Sequence, residues 1–162
     1  FPHGMRIHVI EQIPVAVVSV GGASIAVASD GTLLHDVSGA TALPRIPVQV
    51  PPGGTVLTGA AREAVALLAA APYQLLSHLG EVTTTARHGL QAQLRNGPAI
   101  YFGAPGEFAA KWAAATAVLA DPSSAGASYI DVSDPARPAA GATTQTSSSS
   151  ASGGSTTTTP GG

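Results

Sequence analysis

The chain has 162 residues, a net charge of −2, and charged residues making up 10% of the sequence. Its seven cations (Arg6, Arg45, Arg62, Arg87, Arg95, Lys111 and Arg137) are widely spaced, and nucleic-acid recognition needs clustered ones, so that class is disfavoured. Cysteine is absent, which removes disulfides, thiol nucleophiles and cysteine metal sites while leaving the cellular compartment open.

No apolar run approaches the roughly 18 residues needed to span a membrane; stretches such as Ala64–Ala71 are short and alanine-rich. The sequence opens on Phe1 and not on Met, so it is expected to be a segment of a longer protein, or a processed one, and a missing anchor says nothing about the parent.

Along the chain, Met5, Ile7 and Val9 alternate with Arg6 and His8 as in a strand of period two. Pro14 interrupts it, and Val15–Val20 begins a second extended run. Gly21-Gly22 forms a turn into a third, Ser24–Ser29, and Asp30-Gly31 signals a hairpin before Thr32–Asp36. Leu43–Pro47 must be extended, because a residue preceding proline disfavours helix. Pro51–Gly54 is a break. Thr58 can cap a helix over 59–71 whose stripe is Val65, Leu68 and Ala69. Tyr73–His78 adds a short helical turn. Strands follow at Glu81–Ala86 and Leu90–Arg95, and Asn96-Gly97 turns the latter into Ala99–Phe102. Pro105 suits the first turn of a helix with Phe108, Trp112, Ala115 and Leu119 as its apolar stripe, and Glu107 and Lys111 form an i,i+4 pair on a solvated face. Ser128–Val132 is the final strand, closed by Asp134-Pro135.

Two helices on one face of a mostly antiparallel sheet, an α+β fold, accommodate this order. From 137 onward the chain is Ser/Thr/Gly-rich, with no aliphatic residue larger than alanine. Such a stretch cannot bury enough apolar surface to offset its ordering entropy, so 137–162 is expected to be a disordered tail.

Catalytic chemistry finds no assembled site. His3, His8, His35, His78 and His88 show no metal-ligand spacing. Ser19, Ser24, Ser29 and Ser38 lack a GxSxG context, and Asp30 in Asp-Gly is a turn residue before it is a partner for Asp36. Gly21-Gly22 and Gly53-Gly54 do not form phosphate loops. No nucleophile, base and oxyanion donor come together, so neither enzymatic activity nor any metal or other cofactor is expected.

Three stretches together resemble the FtsQ/DivIB family of bacterial cell-division proteins. In Met5–Val17, Glu11, Pro14 and Ala16 match the segment that ends the family's POTRA domain and opens its β domain, with Gln12 where arginine is common. In Val27–Pro44, Asp30-Gly31 and Leu43-Pro44 match in kind and separation. In Asn96–Ser133, Gly97, Gly103, Glu107, Lys111, Tyr129, Asp131 and Val132 stand in matching places, and Ser133 replaces the usual arginine. The resemblance implies that 1–13 is the end of a truncated POTRA-like domain and 14–136 the β domain. It also implies a single-pass inner-membrane parent with this portion outside the cytoplasm, and a non-catalytic scaffold that recruits FtsB and FtsL.

The competing functions are a secreted or wall-associated carbohydrate-binding module and, more remotely, a small hydrolase built on His35 and Asp36. The first needs exposed aromatic platforms, yet Phe102, Phe108 and Trp112 fall on faces read as buried. Within the family resemblance, the partner-binding segment is expected to be Ser128, Tyr129, Ile130, Asp131 and Val132. As the last strand it should form the open edge of the sheet, with Ile130 and Val132 inward and Tyr129 outward.

Overall fold

The computed structural model describes residues 12–35 and 40–142. The expected strand at Met5–Val9 and residues 143–162 of the expected 137–162 tail lie outside them, as do His3, His8, Asp36 and Ser38; the first residues of that tail are described, and Ala139–Gly141 form a strand there instead of disorder.

A nine-stranded sheet carries the fold. Strands β1 (Pro14–Val20) and β2 (Ala23–Ala28) form a hairpin through Gly21-Gly22, and β3 (Leu33–Leu34) pairs back on β2 through the Asp30-Gly31 turn. Both glycines of the first turn have positive φ, 54° and 87°, where a side chain would be strained. Strand β4 (Arg45–Pro47) follows, then helices α1 (Gly59–Ala69) and α2 (Tyr73–Leu76). Strands β5 (Leu79–Thr85), β6 (Gly89–Leu94) and β7 (Ala99–Gly103) form a meander, α3 (Phe108–Ala120) crosses over, and β8 (Tyr129–Asp131) and β9 (Ala139–Gly141) complete the sheet.

The sheet order is β3-β2-β1-β4-β5-β6-β7-β8-β9. The α+β class holds, but the sheet is mixed where a mostly antiparallel one was expected. Five neighbouring pairs are antiparallel, and three are parallel: β1/β4, β4/β5 and β7/β8. Helices join two of the parallel pairs, α1 and α2 between β4 and β5, α3 between β7 and β8. A helical crossover returns the chain to the same end of the sheet and so imposes the parallel direction.

Both long helices pack on one face and share one core with the sheet. Helix α1 buries Ala64, Val65, Leu67 and Leu68; Ala69, expected on the stripe, is exposed. Thr58 occupies the N-cap but its side chain makes no cap hydrogen bond. Helix α3 begins at Phe108 and not at Pro105, because Gly106 (φ 119°) and Glu107 (φ 52°) hold left-handed backbone before it. Trp112 is 1% exposed, tilts against Phe102 with ring centroids 4.6 Å apart, and donates its indole N–H to the Leu67 carbonyl at 2.8 Å. That bond ties α3 to α1 across the core.

Lys111 overturns the solvated-face expectation. It is 4% exposed and its ammonium donates to the carbonyls of Phe102 (2.8 Å) and Ala104 (2.7 Å). These carbonyls lie at the end of β7 and in the loop that leads to α3. A long flexible cation satisfies them better than a surface pairing with Glu107, worth only a few tenths of a kcal/mol. Among the described residues the one ion pair is Asp134–Arg137.

Candidate functional site

The C-terminal end of the sheet is the region that the sequence singled out, and the structure corrects its outline. Strand β8 is not the edge. It lies between β7, its parallel neighbour, and β9, its antiparallel one. Asp134 builds the reversal between β8 and β9: its carboxylate accepts from the Ala136 N–H (3.0 Å) and the Arg137 Nε (3.1 Å), and its carbonyl accepts from the Arg137 N–H (3.1 Å). These bonds, the arginine contact first, hold the Asp134 carboxyl below its ordinary range. The returning chain pairs Ala139 with Asp131, Ala140 with Ile130 and Gly141 with Tyr129.

Strand β9 escaped the sequence reading because Ala139–Gly141 carries no hydrophobic pattern, while ladder pairing needs only backbone N–H and C=O groups. The available signal was Asp134-Pro135, which suits the first two positions of a type I turn followed by a return strand.

The side chains of β8 divide as expected. Ile130 and Val132 are buried against the core, while Tyr129 and Asp131 are half-buried on the opposite face. There Tyr129 joins a row of rings. His88 stacks on Tyr101 at 4.0 Å, and Tyr101 stacks on Tyr129 at 5.6 Å. The Tyr129 ring lies over Gly141, where a Cβ would stand 2.5 Å from the phenolic oxygen. The row therefore crosses from the β5–β6 turn to the outermost strand, where a Cβ at Gly141 would meet its last ring. The Asp131 carboxylate is engaged locally by the Ser133 N–H (2.9 Å) and hydroxyl (2.7 Å).

The remaining sequence candidates do not assemble. Among the described residues no three His, Asp or Glu side chains could hold a metal together, and no buried side-chain polar atom lacks a hydrogen-bond partner. Asp30 acts in its turn, accepting from the Thr32 N–H at 2.9 Å, which holds its carboxyl below the usual range. The Gly53-Gly54 segment lines an open groove with Val48, Val50 and Pro51 and presents no cationic group. Phe102 and Trp112 are core residues, and Tyr73 is exposed alone.

The FtsQ/DivIB C-terminal model matches residues 16–133. No curated protein matches the chain. A solved structure of the major extracytoplasmic domain of the cell-division protein DivIB from Geobacillus stearothermophilus aligns with a TM-score of 0.40 and 16% identity, covering 56% of this chain and 76% of that one. Matched by the family model from β1 to the end of β8, the chain belongs to the FtsQ/DivIB family of cell division proteins.

Proposed function

We propose that the chain is a non-catalytic extracytoplasmic scaffold of the division machinery, anchored through its parent in the inner membrane, that recruits FtsB and FtsL by strand pairing at the C-terminal edge of the sheet. Membership of the family supports the scaffold role.

The single observation that carries the docking edge is the position of β9. It is the last strand in the sheet order, and among the described residues no strand pairs with its outer side. Open backbone donors and acceptors favour an added strand, and alternate side chains then set specificity. Tyr129 lies over Gly141 in that edge, so its ring is placed to touch an incoming segment. Of the expected partner-binding residues, Ser128, Tyr129 and Asp131 remain candidates for contact, whereas Ile130 and Val132 act from the core by holding β8 in place.

The test is calorimetric titration of the extracytoplasmic segment of an FtsB-family protein into the 162-residue chain. Saturable binding is expected, and Tyr129→Lys should weaken it at least tenfold while the fold survives. No binding by the unmodified chain, or equal binding by Tyr129→Lys, refutes the proposal.

A further inference from the structure

We infer that the opposite margin of the sheet, at Val56, pairs with the same margin of a second copy of this chain, giving a two-fold dimer with both β9 edges left open. The inference goes beyond the proposed function and does not depend on it.

The margin is not β3 itself. Thr32, just before β3, forms an antiparallel bridge with Val56. The Leu33 N–H donates to the Thr55 carbonyl (2.8 Å), and the Leu57 N–H donates to the Gly31 carbonyl (2.9 Å). Thr55 and Leu57 thus turn backbone groups toward β3. Backbone groups alternate in direction along an extended segment, so the N–H and carbonyl of Val56 face away from it. Among the described residues no backbone group bonds to either, and no strand lies beyond them.

An outward donor and an outward acceptor on one residue are self-complementary. Two copies set antiparallel about a two-fold axis beside Val56 exchange both bonds, each N–H donating to the other's carbonyl. This is the hydrogen-bonded pair of an antiparallel ladder, and it makes an isologous interface.

The side chains suit the same symmetry. A two-fold axis sets each group beside it against its own equivalent, so any charge there faces a like charge. From Ile46 to Ala61 the sequence has no charged residue. Strand edges that resist association carry charge or proline, and Thr55, Val56 and Leu57 have neither. Val50 and Val56 are 73% and 44% exposed. Both stand on the rim of a groove of about 450 Å³ that Val48, Pro51 and Leu57 also line. In the dimer the rim valines of one copy cover the groove of the other, which removes apolar surface from water on both.

Val56 and β9 lie at opposite ends of the sheet order. Pairing at Val56 joins two sheets into one whose ends are both β9 strands. Such a scaffold docks two partner segments at once and gains avidity from linked partners.

A cysteine at the axis tests the pairing. The 162-residue chain has none of its own. Residues opposed in such a pair stand about 5.5 Å apart at Cα, within disulfide reach. In a glutathione redox buffer, Val56→Cys should form a covalent dimer at least tenfold faster than Tyr73→Cys, whose site on α2 is 83% exposed. Sedimentation equilibrium of the unmodified chain at up to about 1 mM should show monomer and dimer in exchange. Val56→Lys sets two ammonium groups against each other and should weaken the dimer at least tenfold without lowering the melting temperature. Tyr129→Lys, at the other end of the sheet, should leave it unchanged. A chain that stays monomeric overturns the inference, whether residues 1–11 or a different protein takes the margin instead. So does cross-linking of Val56→Cys no faster than that of Tyr73→Cys, equal dimerisation by Val56→Lys, or loss of the dimer in Tyr129→Lys. None of these results removes the docking edge at β9, and failure of the FtsB-family segment to bind leaves the dimer standing.

Discussion

Trp112 offers a separation of two contributions to stability, packing and one buried hydrogen bond. Helix α1 ends at Ala69, so its last four carbonyls have no partner within the helix. The N–H groups of Ala70 and Ala71 reach the carbonyls of Ala66 and Leu68, and the Trp112 indole reaches that of Leu67 at 2.8 Å. Trp112→Phe keeps most of the ring against Phe102 but removes the donor. An orphaned buried acceptor costs about 1–3 kcal/mol, and the smaller ring adds about 1 kcal/mol of lost burial. Trp112→Ala removes packing as well and should cost about 3–5 kcal/mol. Both are measured by urea unfolding followed by far-ultraviolet circular dichroism, since the substitution also deletes the one tryptophan fluorophore. A loss below about 0.5 kcal/mol for Trp112→Phe would show that the Leu67 carbonyl does not depend on the indole. Equal losses for the two variants would show that the ring contributes no packing beyond the hydrogen bond.

Three further outcomes follow from the same geometry. Lys111→Met preserves the length of the buried stem but strips the donors from the Phe102 and Ala104 carbonyls, and should cost about 1–3 kcal/mol in the same unfolding assay; wild-type stability would show that water replaces the ammonium. Gly89 combines φ +62° with a Cβ position 2.3 Å from the Gly103 carbonyl oxygen, so Gly89→Ala should cost about 2–3 kcal/mol. Gly53→Ala, facing open space, should be near neutral, and similar midpoints for the two would refute the clash. Asp30, Asp121 and Asp134 are held below their ordinary value of 3.8 by hydrogen bonds, chiefly from the Thr32 N–H, the Ser123 N–H and the Arg137 side chain respectively. Their ionised forms therefore favour the fold: the contribution is complete above about pH 5 and is lost as pH falls through the lowered folded values. The melting temperature should be level from neutral pH to about 5 and fall below about 4, with a shallower fall in Asp121→Asn. An identical fall in that variant would remove Asp121 from the effect.

Most of the architecture was legible in the sequence because it is written in short-range chemistry. Gly21-Gly22, Asp30-Gly31 and Asn96-Gly97 turn the chain where φ must be positive or a turn must close, and the alternation of Ala99–Phe102 and Ser128–Val132 fixes which side faces the core. The FtsQ/DivIB resemblance was carried by residues such as Pro14, Gly103, Lys111 and Tyr129, whose identity needs no coordinates. Tertiary structure alone decided the rest, each time because the deciding partner is distant in sequence or carries no side-chain pattern. Lys111 reads as a surface cation until the carbonyls of Phe102, near the end of β7, and Ala104, in the loop after it, are seen to accept from its ammonium. Two of the three parallel pairings, β4/β5 and β7/β8, depend on where α1 and α3 return the chain. The edge of the sheet moved from β8 to β9 because a strand of two alanines and a glycine pairs through its backbone, which a hydrophobic pattern cannot report.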